Sequence, residues 1–282
     1  MGKVKILTDT ACDIDPAKLQ ELGIRAVPLT VSFGEESYLD GFEMRGKTFW
    51  DKMSQFPDTP RTSQPSVETF RAAFEELTAD GSSVVAILLS QVLSGTYQSA
   101  VLAASYLPDR QIAIINSKTA SVGYGLVVLE ANDLAMRGAS FEEVSTEAQA
   151  MIDRLVTLFA VDTLDYLYRN GRIGRASHFW GSLLKFKPIL YLDNEGYVAG
   201  KSRVRGEANV IPTLIESAGE RVPFGSRVKI GICHGNVPDR AAKLLDAARG
   251  KWQVERVVET EIGSVIGIHN GPGTLALIVL PV

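Results

Sequence analysis

Residues 83–100, SVVAILLSQVLSGTYQSA, decide the fold that this sequence predicts. The apolar run at 84–89 is typical of a strand buried on both faces of a parallel sheet. A cluster of small hydroxyl residues begins at Ser90, and 96–107 has the apolar spacing of a helix. This order predicts an anion-binding edge of an open α/β sheet, because free amides and the helix dipole converge there. The alternative is that Ser94 only caps the helix.

The composition narrows the class of protein. A chain of 282 residues accommodates one large or two ordinary domains, and an apolar content of 45% is sufficient for a substantial core. The net charge of -4, without a basic run, argues against a nucleic-acid partner. The apolar stretches are too short to cross a bilayer. Because Cys12 and Cys233 do not suggest a disulfide framework, we expect a reduced, cytoplasmic protein.

Strand and helix patterns alternate along the first part of the chain. A first strand at 4–7 is followed by a helix, and residues 24–33 return as a second strand. Such a β-α-β unit predicts two parallel strands with a right-handed crossover. The alternation continues to a strand predicted at 157–162. We therefore expect an α/β domain over residues 1–160, with a mostly parallel sheet flanked by helices.

The chain changes character beyond a boundary that we place near Val161. Residues 176–186 have a helical pattern, and a hairpin turn at 194–196 joins two predicted strands. Strands and helices then alternate to the end of the chain. These features predict a second α/β domain over residues 161–282, with a mixed sheet.

Three polar segments are candidates for a binding site. Asp9 ends the first strand, on the edge where α/β sites form. A proline-rich loop carries Thr62 and Ser63 just before a predicted helix. His269 lies in a predicted glycine loop, 263–273, whose backbone must turn sharply or approach another group closely. The spacing of the Cys, His and acidic residues predicts no metal site, and the sequence has no Walker loop or GxGxxG motif.

Two other classes of function fit parts of this pattern. Ser94 and His269, together with Asp9, are the residue types of a serine hydrolase triad. The neighbours of Ser94 do not form the GxSxG elbow that many such enzymes use. A sugar- or phosphate-binding module would use the same hydroxyl groups.

Six motifs resemble, in order, those of the DegV family of bacterial fatty-acid-binding proteins. They are TDTACDI (8–14), RTSQPS (61–66), LSGTYQSA (93–100), NGRIG (170–174), KSRVR (201–205) and IHNGPGT (268–274). The resemblance implies two α/β domains that enclose a long-chain fatty acid in an apolar tunnel between them, without a cofactor. It also implies a carrier rather than an enzyme. A separate fatty-acid kinase would convert the presented carboxylate to an acyl phosphate for phospholipid synthesis, and such a carrier is compatible with transient membrane contact.

The resemblance also implies roles for individual residues. Those implied to contact the fatty-acid carboxylate are Thr62, Ser63, Ser94, Gly95, His269 and Gly271. Arg172 and Arg203 are implied near the phosphate or the kinase. Val92, Ile266 and Ile268, which lie beside these motifs, are candidates for the tunnel wall.

Two positions depart from the pattern of the family. Thr10 stands where the family often has serine, which keeps a hydroxyl group. Asn170 stands where the family often has glycine. Because asparagine tolerates a left-handed backbone, we expect the turn that places Arg172 to be kept.

Overall fold

A computed structural model describes residues 3–179 and 186–282 of the chain. Its described strands form a four-stranded sheet, a six-stranded sheet and a three-stranded sheet. The first is parallel and the second is mixed, which confirms the predicted α/β class with two principal sheets. No helix in these ranges combines the length and the apolar character that crossing a bilayer requires.

Four parallel strands form the first sheet. They are β1 (Val4–Asp9), β2 (Arg25–Val27), β6 (Ser83–Leu88) and β7 (Ile112–Asn116). Their order is β2–β1–β6–β7. Every residue of β6 is buried, as its apolar run predicts, because helices cover both faces of the sheet.

Helices cover this sheet on both sides. They are α1 (Pro16–Glu21), α3 (Val67–Thr78), α4 (Thr96–Ser105), α5 (Val122–Met136) and α6 (Phe141–Arg154). Asp15 and Ser66 cap α1 and α3 through their side chains. Ser140 and Glu143 form a capping box at the start of α6. Helix α5 contacts both large sheets, so its side chains are buried almost all round.

The six-stranded sheet contains the rest of the principal strands. They are β8 (Val156–Ala160), β9 (Phe186–Leu192), β10 (Val198–Arg205), β11 (Arg227–His234), β12 (Gln253–Glu261) and β13 (Leu275–Pro281). Their order is β10–β9–β8–β13–β11–β12, and the predicted β9–β10 hairpin is antiparallel. Helices α8 (Val210–Gly219) and α9 (Pro238–Arg249) pack on its outer face. The strand predicted at 157–162 is therefore β8 of this sheet, and the domain boundary near Val161 stays a prediction.

A small antiparallel sheet beside α2 (Gly46–Gln55) was not predicted. It contains β3 (Thr30–Phe33), β4 (Glu36–Leu39) and β5 (Arg61–Ser63). The single strand predicted at 24–33 is wrong, because its two halves are β2 and β3, in different sheets. Pro28 lies between them and lacks the N–H group that a continuous ladder requires.

The glycine loop predicted at 263–273 is also wrong, because Ser264–Asn270 form helix α10. The Asp40 carboxylate accepts hydrogen bonds from the Ser264 hydroxyl at 2.6 Å and from the Val265 amide at 3.2 Å, which fixes the first turn. Gly271, with φ of 77°, ends the helix.

The segment before the β9–β10 hairpin was predicted to be helical over 176–186. A short helix α7 (Asp165–Arg169) is followed by a 3₁₀ helix at Gly174–Phe179. Phe186 begins β9, and residues 180–185 lie outside the described residues.

The carboxylate of Asp9 joins several elements at the end of β1. It accepts hydrogen bonds from the amides of Ala11 at 3.0 Å and Leu89 at 2.9 Å, and from the Tyr124 hydroxyl at 2.5 Å. Burial raises the pKa of Asp9 to about 6, although these hydrogen bonds act in the opposite direction.

The raised pKa of Asp9 predicts a pH-dependent stability. The unfolded chain has the ordinary value of 3.8, so the stabilisation from protonated Asp9 is lost as pH rises from about 4 to about 6. The change is on the order of 3 kcal/mol. Asp9→Asn should flatten this part of the plot of denaturation midpoint against pH. It should also lower the midpoint throughout, since an amide fits two backbone donors poorly.

Asp109→Asn, at an exposed position, is the control for loss of one carboxylate and should keep the wild-type slope. A wild-type slope in Asp9→Asn between pH 4 and 6 would contradict the raised pKa.

Candidate functional site

A cavity lies between the inner face of the six-stranded sheet and the segments that follow β2, β6 and β7. Its empty space, the open mouth included, is about 880 Å³. The apolar side chains of its wall are Leu29, Leu89, Leu93, Ala120, Phe159, Leu167, Leu192, Val198, Ile262, Val265, Ile266, Ala276 and Ile278. A predominantly apolar wall of this extent is typical of a site for a small, largely apolar ligand.

Polar side chains meet at one end of the cavity. Thr62 from β5, Ser94 from the loop before α4, Arg172 from the turn after α7 and His269 from the last turn of α10 all line it. Thr62 Oγ1 lies 3.0 Å from His269 Nε2, within hydrogen-bonding distance. Four segments that are far apart in sequence therefore supply one polar end.

The loop that carries Ser94 is held by its own backbone. The Ser94 amide donates to the Ser90 carbonyl at 3.2 Å, and Ser94 Oγ accepts from the Thr96 amide at 3.3 Å. The Ser94 and Thr96 hydroxyls are also 2.9 Å apart. Ser94 thus makes a local turn just before α4, and it also lines the cavity. The alternative that Ser94 only caps the helix is wrong, because the N-cap residue is Gly95, without a side-chain capping hydrogen bond.

Arg172 is held at the cavity by two backbone carbonyls. Its Nε donates to Leu93 O at 3.2 Å and its Nη1 to Asn170 O at 2.8 Å. The Asn170 amide group donates to Ile268 O at 3.2 Å, which ties this turn to α10. Gly171 has φ of 68°, whereas Asn170 has φ of −92°, so the glycine takes the left-handed position of this turn and the tolerance expected of Asn170 is not used.

His269 is a neutral side chain at this site. Burial lowers its pKa to about 3, and the positive charge of Arg172 acts in the same direction. Its Nδ1 is buried and has no hydrogen-bond partner among the described residues. A neutral imidazole can donate one hydrogen bond and accept another, so its role here depends on hydrogen bonding rather than charge.

Helix α10 runs along the cavity. Ile262, Val265, Ile266 and His269 all contribute to the wall, and seven helical residues span roughly 10 Å. The N-terminal end of the helix is fixed by Asp40 and by Asp13, whose Oδ1 accepts from the amide of the residue that precedes the helix at 3.0 Å. His269 lies at the opposite end, beside Thr62.

The far end of the cavity contains two hydroxyl groups that already have partners. Ser121 donates to Asp13, and the Thr157 hydroxyl lies 3.0 Å from that of Thr119. Thr157 pairs with Ile278 in the middle of β13, whereas the opposite end of β8 pairs with the start of β13, which follows His269 closely in the chain. The two hydroxyl groups therefore lie away from His269. The free hydrogen-bonding capacity is therefore concentrated at the Thr62 end.

The structure separates the residues to which the resemblance assigned roles at the carboxylate, the phosphate or the kinase. Thr62, Ser94, Arg172 and His269 come together, whereas Arg203 lies on the edge strand β10 with its Cζ 5.2 Å from the Phe179 ring centroid. Of the residues that the structure describes, those assigned to the site but absent from the wall are Ser63, Gly95 and Gly271. Ser63 is exposed, because neighbouring residues of β5 point to opposite faces.

The two glycines of this set have a different function. A Cβ at Gly95 would lie 2.4 Å from the Gln64 side chain, and one at Gly271 would lie 2.2 Å from the Tyr166 ring. Both positions allow close approach, and for Gly271 this is what the glycine-rich sequence around His269 predicted.

Sequence reasoning missed several polar residues of the wall, among them Gln64 and Asn270, and was partly right about the tunnel. Gln64 and Asn270 line the cavity beside Thr62 and His269. Both occur inside motifs that were singled out, so their position within RTSQPS and IHNGPGT was the available signal. Ile266 lines the cavity as predicted, whereas the other two candidate wall residues, Val92 and Ile268, do not belong to the described lining.

The described contacts do not form a serine hydrolase triad. Asp9 bonds to Tyr124 and to two backbone amides, and the hydroxyl partner of Ser94 is Thr96. His269 Nε2 faces Thr62 instead. The acid, base and nucleophile of the proposed triad are therefore each engaged with other groups.

The fold and the cavity define a class of α/β protein in which two sheets enclose an apolar site with one polar end. The matching family model, described as uncharacterised proteins of the DegV family, covers residues 3–282. The chain belongs to the DegV family. A DegV domain-containing protein from Halalkalibacterium halodurans is 35% identical over 278 residues, which are 98% of each chain.

Solved structures of relatives share this fold. A DegV family protein from Thermus thermophilus, described as binding fatty acid, is 31% identical with a TM-score of 0.92, over 99% of this chain and 100% of that chain. DegV from Bacillus subtilis, described as a fatty-acid-binding protein, is 30% identical with a TM-score of 0.89, over 100% of both chains.

The lowered pKa of His269 can be observed directly. With a pKa of about 3, the imidazole stays neutral down to pH 5, so its ring-proton NMR shifts should not change between pH 8 and pH 5. The signals are assigned by their loss in His269→Gln. A titration midpoint near 6.5 would show that the ring is open to solvent and would contradict the buried site.

Proposed function

We propose that this protein binds one long-chain fatty acid, with its acyl chain in the cavity and its carboxylate among Thr62, Ser94 and His269. The observation that carries the proposal is an enclosed apolar wall with unused hydrogen-bonding groups at one end. Burial of about fifteen methylene groups offers ~12 kcal/mol before entropic losses. The described fatty-acid binding of the Thermus thermophilus and Bacillus subtilis relatives supports the same ligand class.

The polar end of the cavity can provide hydrogen bonds to the ligand's carboxylate without forming a direct ion pair with it. If His269 Nε2–H donates to Thr62 Oγ1, the Thr62 hydroxyl is free to donate to a carboxylate oxygen. If the Thr96 hydroxyl donates to Ser94 Oγ, the Ser94 hydroxyl is free to act as a second donor. Arg172 contributes a positive charge near His269, which offsets the cost of bringing a carboxylate out of water.

The wall of the cavity argues against a sugar- or phosphate-binding module. Such ligands require polar partners around most of their surface, whereas apolar side chains from β8, β9, β10 and β13 form the floor.

We also propose that a separate kinase phosphorylates the bound carboxylate, and that the acyl phosphate is used in phospholipid synthesis. Arg203 supports this step because it lies on an exposed edge strand, outside the cavity wall. Arg205, two residues further along β10, is also exposed on the side of Arg203, which gives a basic patch suited to an acidic partner. Lys201 stands at the bulge between Gly200 and Ser202 and forms an ion pair with Glu220. In this proposal the protein is a cytoplasmic carrier that makes transient membrane contact, and it does not catalyse the transfer itself.

Lipid content tests the proposed ligand. Protein purified from a bacterial host under native conditions should contain close to one fatty acid of about 14 to 18 carbons per chain, because burial of a long acyl chain against the apolar wall is favourable. The measurement is denaturation, organic extraction and mass spectrometry, with a second folded protein purified in parallel as the control. A folded sample that contains no fatty acid and takes up no added oleate would contradict the proposal.

Single substitutions test the polar end. Ser94→Ala and Thr62→Val should each weaken oleate binding about 5- to 150-fold, because each removes one partner of a buried carboxylate worth about 1–3 kcal/mol. Binding is measured by calorimetry on delipidated protein, and folding by thermal denaturation.

Ser63→Ala is the matched control, since Ser63 adjoins Thr62 but faces away from the cavity. It should bind oleate as the wild type does. Equal loss of affinity in Ser63→Ala and Thr62→Val would show that the loop, rather than the Thr62 hydroxyl, determines binding.

Arg203→Ala separates binding from phosphorylation. Fatty-acid binding should be unchanged, because the side chain does not line the cavity, and stability should change by less than about 1 kcal/mol. The rate of acyl-phosphate formation with a fatty-acid kinase should fall, with a weaker dependence on salt. Arg25→Ala, on the distant strand β2, controls for loss of one exposed charge. Lost oleate binding in Arg203→Ala would place Arg203 in the head-group site.

A further inference from the structure

Ser90 connects the two large sheets beside the polar end of the cavity. It follows β6 of the four-stranded sheet and is fully buried. Its hydroxyl donates to the carbonyl of Gly196 at 3.1 Å, and Gly196 is in the turn of the β9–β10 hairpin. One side chain thus spans from the loop after β6 to the other sheet.

The backbone of Ser90 also holds the loop that presents Ser94. Its carbonyl accepts from the Leu93 amide at 3.0 Å and from the Ser94 amide at 3.2 Å, while its amide donates to Thr119 O at 3.0 Å. Any displacement of Ser90 therefore moves Ser94, because the two are joined by a single turn of backbone.

At Gly196, the acceptor of the Ser90 hydrogen bond, there is no room for a side chain. Gly196 has φ of 90°, and a Cβ there would lie 2.2 Å from Ser90 Oγ and 3.0 Å from the Cα of Lys118. The hairpin turn can approach Ser90 only because residue 196 is glycine. The hairpin continues into β10, the strand that carries Arg203.

We infer that Ser90 is a positioning residue that couples the β9–β10 hairpin to the Ser94 loop. Its carbonyl fixes the Ser94 loop while its hydroxyl fixes the hairpin, so the arginine-bearing strand and the head-group serine share one buried anchor. The consequence for ligand binding rests on the proposed function, whereas the mechanical coupling does not depend on it.

Two variants disturb the contact from opposite sheets. Ser90→Ala removes the hydrogen bond, and Gly196→Ala forces the hairpin away from Ser90. Both should accelerate hydrogen exchange of the Leu93 and Ser94 amides at least 10-fold, although residue 196 is in the other sheet. Asn194→Ala, an exposed position in the same turn, is the control and should leave both amides unchanged. Unchanged exchange in Gly196→Ala would overturn the coupling.

Oleate affinity is a second test of the positioning role. A contact that only stabilises the fold would not change the affinity of the variants in the pattern expected here. Ser90→Ala should weaken binding about 3- to 10-fold, and Ser94→Ala should cost less affinity in the Ser90→Ala background than in the wild type. Strictly additive effects would overturn the positioning role. If Gly196→Ala does not fold, this double-mutant cycle decides the question. A wild-type protein that binds no oleate contradicts the proposed function alone, and the exchange measurement still tests the coupling.

Discussion

The buried carboxylate of Asp9 is the interaction on which the polar end of the cavity depends. Through three hydrogen bonds it joins the end of β1 to the start of the loop after β6 and to α5. Its partner Leu89 is five residues before Ser94, and its partner Tyr124 lies in the helix between the two large sheets. The cost of burying this carboxyl is visible in its raised pKa, so its hydrogen bonds must compensate for lost solvation.

Two further buried carboxylates fix helix α10, which forms another wall of the cavity, through hydrogen bonds of the same kind. Asp13 and Asp40 hold the start of α10 through backbone amides and the Ser264 hydroxyl. Burial raises the pKa of both. The helix then carries His269 to the opposite end of the cavity, beside Thr62. Buried polar groups thus hold the elements around the cavity in place, and the wall of the cavity is apolar over most of its length.

Local patterns were sufficient to predict most elements of this fold. The run at 84–89, the cap of α3 at Ser66 and the capping box of α6 each have a cause within a few residues. The predictions failed for elements that depend on residues far away in the sequence. The sequence of α10 predicts a loop rather than a helix, because the first turn of the helix is completed by Asp40, which is more than 200 residues away. For the same reason, the motif order pointed to Thr62, Ser94 and His269, but no local pattern showed that the alternation of β5 turns Ser63 outwards.

The orientation of the ligand is the central claim, and a fatty acid with bromine on its terminal carbon tests it most directly. Crystals of the complex would give an anomalous difference peak at the bromine atom. The account predicts one peak at the far end of the cavity, near Thr157 and Ile278, with carboxylate density within hydrogen-bonding distance of Thr62 and Ser94. A bromine peak beside Thr62 and His269, or ligand density outside the cavity, would contradict it.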